Sequence, residues 1–263
     1  FLSGASMRSG LHAYFGEGPY RGDLMTHRVI YNPHIHTSQM FEVLVRALQE
    51  DPRHFPTMEL CPPRVMRPHV FQASVPERER LKESLFSSHP VREFTKIILV
   101  NPNSSDLLPL RRWDEDKYVE LITKILSRYP NAVIGITGAE SEKAKAERIR
   151  EKIPSDRCIN LSGKTTLDEL MVLYCVAKIL ITNDSGPAHF ASLTDIHTVV
   201  LFGPETPLLF EANSEKSQSV YIGLPCSPCI NALNNRQTAC RDNQCMKQIT
   251  PDMVMDRVAR VLS

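Results

Sequence analysis

The sequence lacks an excess of either charge. Across 263 residues, 31 Lys and Arg stand against 30 Asp and Glu, a net charge of +1. That balance gives no electrostatic footing for nucleic acid or an acidic membrane surface as the main partner. Long apolar runs are missing too: the longest, residues 97–100 and 199–202, are strand-sized, far short of the roughly 18 residues of a membrane span. No signal peptide is legible, because Phe1-Leu2-Ser3-Gly4-Ala5 has neither a basic nor an apolar region of the right kind. We read this start, with Phe at position 1, as the interior of a longer gene product. Three motifs are also absent. Gly163-Lys164-Thr165-Thr166 imitates the end of a P-loop, but the Gly required five positions earlier is Cys158. No G-x-G-x-x-G occurs, which removes the usual nicotinamide and flavin reading. No G-x-S-x-G elbow occurs, and Asp184-Ser185-Gly186-Pro187 sits in a strand–turn–helix setting, not in the all-β setting of a protease serine.

What is present can bury a core. Hydrophobic residues make up 42% of the chain and charged residues 23%, a globular composition longer than one average domain. Residues 10–22 read as loop. The apolar spacing of Met40, Val43, Leu44, Ala47 and Leu48 predicts a helix over 39–48. Prolines 52, 56, 62, 63, 68 and 76 then mark a boundary zone, and a charged helix is expected over 77–84. From residue 96 the pattern becomes strand, helix, strand. Strands are expected at 97–100, 132–137, 179–182 and 198–202. Helices are expected at 114–128 and 140–152, and from the capping box Thr166-Leu167-Asp168-Glu169 to Ala177. Apolar strands alternating with helices predict an α/β fold with a Rossmann-like parallel sheet and helices on both faces.

Chemistry concentrates in the loops that leave these strands, where open α/β sheets bind ligands. Asn183-Asp184-Ser185-Gly186-Pro187-Ala188-His189 runs from a strand into a helix whose free amides make an anion site. Pro187 suits an early helical position, and His189 lies in the first turn. Read alone, Asp184 or Ser185 is more simply a helix cap. Asn101-Pro102-Asn103-Ser104-Ser105 adds hydroxyl and amide donors, and Arg111, Arg112 and Trp113 follow. Taken singly, these arginines are expected to be solvated partners of Glu115 or Asp116. Gly203-Pro204-Glu205-Thr206-Pro207 and Gly138-Ala139-Glu140 bring carboxylates to the same edge, and either acid equally fits a helix cap. His34 and His36 form an H-x-H pair that reads as polar surface, with no third ligand in view.

The succession Asn-Pro-Asn-Ser-Ser, Arg-Arg-Trp, Gly-Ala-Glu, Leu-Ser-Gly-Lys-Thr-Thr-Leu, Asn-Asp-Ser-Gly-Pro-Ala-His and Leu-Phe-Gly-Pro-Glu-Thr-Pro resembles the family 9 glycosyltransferases, which include the ADP-heptose:lipopolysaccharide heptosyltransferases. The resemblance is strong over 94–263 and weak toward the start, where Leu2-Ser3-Gly4-Ala5 is similar to the last part of the family's N-terminal domain. It implies a GT-B architecture, with 1–93 as the remaining part of the acceptor-side lobe and 94–263 as the nucleotide-sugar lobe. By this likeness Asp184, Ser185, Gly186 and His189 contact the donor diphosphate and its sugar, and Asn103, Ser104 and Ser105 lie at the phosphates. Arg112 stands at the family's basic position, and Glu140 faces the nucleoside. His189 and Arg112 would stabilise the leaving group without a catalytic metal. The family's general base is an Asp in the first strand–loop–helix of the N-terminal lobe. No matching segment is found here, so the base is expected in the missing N-terminal segment.

The implied partners are a nucleoside-diphosphate sugar and a lipopolysaccharide core acceptor. The enzyme would be cytoplasmic and peripheral at the inner membrane through its acceptor. Cys226, Cys229, Cys240 and Cys245 form C-x2-C-x10-C-x4-C, a spacing open to structural zinc or to packing cysteines. Cys61, Cys158 and Cys175 read as ordinary buried residues. Two other readings stay open: a nucleotide-sugar-binding or zinc-stapled interaction domain without transferase activity, and a sugar-nucleotide epimerase on the same fold.

Overall fold

Successive residues of a strand face opposite sides of its sheet, and Ile97-Ile98-Leu99-Val100 is apolar at every position, so both faces must be covered. The structure, a computed structural model, describes residues 4–15, 19–20, 22–58, 70–86 and 96–263. Leu2, Ser3, Cys61, Pro62, Pro63, Pro68 and the 93/94 boundary fall outside them. Two short parallel strands come first, β1 (Ser9–Leu11) and β2 (His27–Val29), so the stretch read as loop starts inside a strand. Helices α1 (Thr37–Arg46) and α2 (Val75–Phe86) follow.

The main sheet is built from β3 (Lys96–Asn101), β4 (Ala132–Ile136), β5 (Cys158–Asn160), β6 (Ile179–Asn183), β7 (His197–Phe202) and β8 (Ser217–Tyr221). All pairs are parallel, in the order β5-β4-β3-β6-β7-β8. Counted from β3 this is the 3-2-1-4-5-6 order of a Rossmann fold, whose ligand crevice opens where the order reverses, between β3 and β6. One face packs on α3 (Glu115–Arg128), α4 (Lys143–Glu151) and α9 (Pro251–Leu262), through Ile98, Val100, Ile134, Ile181 and Leu201. The other packs on α2 and α5 (Leu167–Val176), with Leu81, Leu85 and Phe86 meeting Leu99, Leu173 and Leu180. Three short helices complete the lobe: α6 (Gly186–Ala191), α7 (Pro207–Phe210) and α8 (Gln244–Lys247). The expected helix at 140–152 divides into a 3-10 turn, Glu140–Glu142, and α4. Among the described residues no helix is long and apolar enough to cross a membrane.

At the crevice, the last residue of β6 ties the two halves of the sheet together. Asn183 is fully buried. Its Oδ1 accepts from the Trp113 backbone N–H at 3.2 Å and the Tyr118 hydroxyl at 3.0 Å. Its Nδ2 donates to the carbonyls of Pro102 at 3.1 Å and Asn103 at 3.2 Å. Trp113 is pinned further by Nε1 donating to the Ile249 carbonyl at 3.0 Å. Each buried polar group left unpaired costs about 1–3 kcal/mol. Asn183→Leu strands three of them, since the Pro102 carbonyl keeps Lys145 Nζ at 3.2 Å, and should remove at least about 3 kcal/mol of stability. Thermal denaturation should then show a fall of roughly 6 °C or more, at about 2–4 °C per kcal/mol for a chain of this size; a fall under about 3 °C would show that the loops hold without this amide.

Candidate functional site

The loop after β3 is shaped by short amide links. Asn101 Oδ1 accepts from the Asn103 backbone N–H at 3.2 Å, and Asn101 Nδ2 donates to Thr137 Oγ1 at 3.3 Å. Asn103 Nδ2 reaches the Thr137 carbonyl at 3.3 Å, joining the β3 loop to the end of β4. Ser104 is buried and its hydroxyl has no hydrogen-bond partner among the described residues, whereas Ser105 is exposed and its Oγ accepts from the Leu107 N–H. Gly138 is required here: a Cβ would lie 2.7 Å from Asn103 Nδ2, 2.9 Å from Glu142 Oε2 and 3.0 Å from Ser162 Oγ. The Ser162 hydroxyl is also buried and unpartnered. Glu142 caps the following turn through the Ala139 N–H at 2.7 Å. Glu140 is not a cap, and its exposed carboxylate lies over Gly163, whose φ of +73° and missing Cβ admit it.

The loop after β6 meets a buried acid–arginine cluster. Arg111 ends a 3-10 turn, Pro109–Arg111, that swings its side chain inward. Its Nη1 donates to the Asp184 carbonyl at 3.2 Å, its Nη2 pairs with Glu205 Oε2, and its Nε lies 3.7 Å from Asp184 Oδ2. Asp184 and Glu205 are 4% and 1% exposed, so one guanidinium faces two carboxyls away from water. Burial pushes the Asp184 pKa up to about 7, against the pull of Arg111 and with Glu205 adding to the rise. Ser185 is the N-cap residue of α6, but its hydroxyl donates to the Asn183 carbonyl at 3.1 Å and makes no cap. Neither Asp184 nor Ser185 therefore acts as the simple helix cap that the turn alone suggested. With only six residues, α6 has a weak dipole, and positive charge at the crevice must come mainly from side chains. His189, exposed on α6, has its pKa lowered by desolvation and then by His36 and Arg111. Lys145 Nζ donates to the Pro102 carbonyl at 3.2 Å, and its pKa is lowered by burial.

The structure thus brings Asn103, Ser104, Asp184, Ser185, Gly186 and His189 to one crevice, with Ser105 and Glu140 at its rim. It corrects the reading of the arginines. Glu115 pairs with Arg148 and Asp116 with Lys152, so neither holds Arg111 or Arg112. Arg112 reaches outward to the exposed Asp106, with a contact to the Ser104 carbonyl at 3.3 Å. The more buried cation is Arg111, and the pattern of two adjacent arginines carries no signal to choose between them. Lys145 also enters the site unannounced, and Glu205, expected at this edge as a carboxylate or a helix cap, is the buried partner of Arg111. For the cysteines, left open between structural zinc and packing, among the described residues no three His, Cys, Asp or Glu gather as a metal site. Cys226 is exposed, Cys240 donates to the Asp242 carbonyl, and buried Cys245 lies against Gly203. His34 is exposed, and His36 caps α1 while its Nε2 meets the Glu211 carbonyl at 2.9 Å.

A model of glycosyltransferase family 9 (heptosyltransferase) matches residues 66–240, about two thirds of the 263. A lipooligosaccharide heptosyltransferase 2 of Campylobacter jejuni is 27% identical over 175 residues, covering 65% of this chain and 53% of its own. Its Haemophilus influenzae counterpart is 24% identical over 207 residues, covering 76% and 56%. The chain therefore spans about half the length of these relatives. Among solved structures, Escherichia coli ADP-heptose lipopolysaccharide heptosyltransferase II superposes with a TM-score of 0.69 at 19% identity, over 99% of this chain and 71% of that one. A family 9 glycosyltransferase of Veillonella parvula gives 0.62 at 17%, over 88% and 61%. The expected GT-B fold is the one these structures share.

The raised Asp184 pKa fixes a sign for stability. The folded state holds a proton on Asp184 that the unfolded state releases near its ordinary value of 3.8. Stability from this group is full below that value and is lost as pH rises toward about 7. Asp184→Asn, which cannot ionise, should gain thermal stability relative to the parent as pH climbs from 4 to 7. A difference in Tm that stays constant across that range would exclude a neutral Asp184.

Proposed function

Because the chain belongs to glycosyltransferase family 9, we propose that residues 94–263 form the donor lobe of a metal-independent heptosyltransferase, and that residues 1–93 come from the acceptor-side lobe. The reaction is transfer of a heptose-like sugar from a nucleoside diphosphate, ADP on the strength of the solved relative's substrate, to a lipopolysaccharide core hydroxyl. The observation that carries it is the crevice at the strand-order reversal. There, among the described residues, Ser104 offers a buried unpartnered hydroxyl on the β3 loop, Arg111 supplies positive charge beside Asp184, and His189 stands on α6 as a neutral imidazole that can donate a hydrogen bond.

Each part has a chemical task. The diphosphate lies between the β3 and β6 loops, with the Ser104 and Ser105 hydroxyls and the first amides of α6 donating to its oxygens. A neutral Asp184 donates a hydrogen bond where an ionised one would repel phosphate. Glu140, over Gly163, reaches the ribose hydroxyls. As the anomeric carbon–oxygen bond breaks, negative charge grows on the leaving phosphate. Arg111, held beside the β6 loop, stabilises that charge without reorganising, Lys145 and a hydrogen bond from His189 add to it, and Arg112 contributes on releasing the exposed Asp106. Arg111 is held by Asp184 and Glu205 at rest, so it stays positioned for that moment. The proton from the acceptor hydroxyl goes to a base on the acceptor-side lobe. The acceptor draws the enzyme to the inner membrane surface, where it acts from the cytoplasm.

Calorimetric titration of the chain with ADP, UDP and GDP tests the donor site. ADP should bind selectively, and His189→Ala and Asp184→Ala should each weaken it by more than about 1 kcal/mol, the scale of one charge-assisted hydrogen bond. A folded chain that binds none of the three would sink the donor-lobe reading. With an enzyme that carries both lobes, heptose should move from ADP-heptose only when a core acceptor is present. Donor conversion without acceptor would favour the epimerase.

A further inference from the structure

Acceptors outnumber donors where the β6 and β7 loops meet the turn before α3. Arg111 serves two carboxyls there. Its Nη1 is used on the Asp184 carbonyl at 3.2 Å and its Nη2 on Glu205 Oε2, while Nε stands 3.7 Å from Asp184 Oδ2, beyond hydrogen-bond distance. That leaves Asp184 Oδ2 and Glu205 Oε1, both buried and, among the described residues, both without a donor. Neither residue is more than 4% exposed, so bulk water does not serve them. A buried carboxylate oxygen with no donor is costly, and here two neighbouring acids each carry one. A carboxyl that keeps its proton turns one of those oxygens into a donor, and the other carboxylate accepts from it. One proton satisfies both oxygens and belongs to the pair, not to either residue. Burial raises the Asp184 pKa most, and Glu205 adds to the rise through a side-chain hydrogen bond as well as its charge.

Facing the pair, among the described residues, are Arg111, Arg236 from the loop after β8, Tyr31 and, beyond Arg111, His189 of α6. Of these only His189 is of a type that titrates near neutral pH. The charge of the cluster therefore turns on one proton. With that proton, Arg111 balances a single carboxylate and the cluster is neutral. Without it, two carboxylates face one guanidinium and the cluster is negative. A diphosphate diester brings two negative charges to the β6 loop and is repelled by the second form. It binds the neutral form better, and by reciprocity its arrival draws the proton onto the pair.

We propose that Glu205 is a positioning residue for the donor: it shares one proton with Asp184, that proton keeps the cluster around Arg111 neutral, and a nucleoside-diphosphate sugar binds with uptake of the proton from solvent. This role rests on the donor-lobe reading and adds to it a residue and a proton. ADP-ribose is the probe, because its diphosphate is esterified at both ends and keeps the same charge across the pH range used. Calorimetry at pH 7.5 in buffers of different protonation enthalpy counts the protons taken up. The parent chain should take up about half a proton or more, and its affinity should fall at least about fivefold from pH 6 to pH 8.5. His189→Ala should bind more weakly and keep the uptake. Asp184→Asn, isosteric and always neutral, should bind at every pH about as tightly as the parent does at pH 6, with no uptake. Glu205→Gln should lose the uptake and bind at least about fivefold more weakly at pH 6, because Arg111 then pairs with an ionised Asp184. Uptake that survives in Glu205→Gln, that disappears with His189, or that is absent while the parent binds overturns the role. If Glu205→Gln does not fold, Asp184→Asn decides: uptake that persists, or an affinity that still falls with pH, overturns it. Carbon-13 NMR of the carboxyls in the ligand-free chain keeps the two readings apart. An Asp184 that titrates at the same pH with and without Glu205 overturns the shared proton even where ADP-ribose binds. An Asp184 that returns to the ordinary carboxylate range in Glu205→Gln supports the shared proton; if the parent then binds no ADP-ribose, the donor-lobe reading falls, and with it the uptake.

Discussion

A single side-chain amide sets the geometry on which the crevice depends. Asn183 ends β6 at the point where strand order reverses, and its four hydrogen bonds run to the β3 loop, to the backbone before α3 and to a residue on α3. Parallel strands alone would let the β3 and β6 loops splay, because the ladder between them ends at Asn101 and Thr182. The amide continues the connection beyond the ladder, from a side chain whose donors and acceptors are all used. The buried hydroxyl of Ser104 and the carboxyl of Asp184 keep their relative positions for that reason. The crevice is formed by the fold before any ligand arrives, which is what electrostatic stabilisation of a leaving group demands.

Around that frame the electrostatics are frustrated by design. Two buried carboxyls share one guanidinium, and among the described residues Asp184 Oδ2 and Glu205 Oε1 have no hydrogen-bond partner. Such a cluster is poor at stabilising a fold, since burying an ion pair and holding a second carboxyl protonated beside it costs more than one pairing returns. Its presence where four loops converge is best understood through a ligand that completes it. Perturbed carboxyls gathered in a cleft are the usual signature of a functional site.

Much of this was legible in the residues. The apolar runs of β3, β4, β6 and β7 gave themselves away because both their faces are buried, and the helix expected from 114 and the Thr166 capping box match the starts of α3 and α5. The edge strands were not legible. Cys158-Ile159-Asn160 has only three residues, and Ser217-Gln218-Ser219-Val220-Tyr221 is mostly polar, so neither carries enough hydrophobic signal without a neighbour to pair with. Loop motifs located the crevice but not its wiring. The inward turn of Arg111 depends on a 3-10 turn around Pro109, and its partner Glu205 lies 94 positions away in sequence. Contacts of that range leave no periodic trace. The cysteine spacing left two readings open because spacing says nothing of depth, and the fold places Cys226 at the surface and Cys245 in the core.

Gly138 carries a consequence of another kind. Its missing side chain is the space in which Asn103, Glu142 and Ser162 converge, from the loops after β3, β4 and β5. Three segments far apart in the chain thus compete for the volume of one methyl group. None of them can drift in size or polarity alone, so these four positions are bound to evolve as a unit, and a relative that gains bulk at one of them must have surrendered it at another.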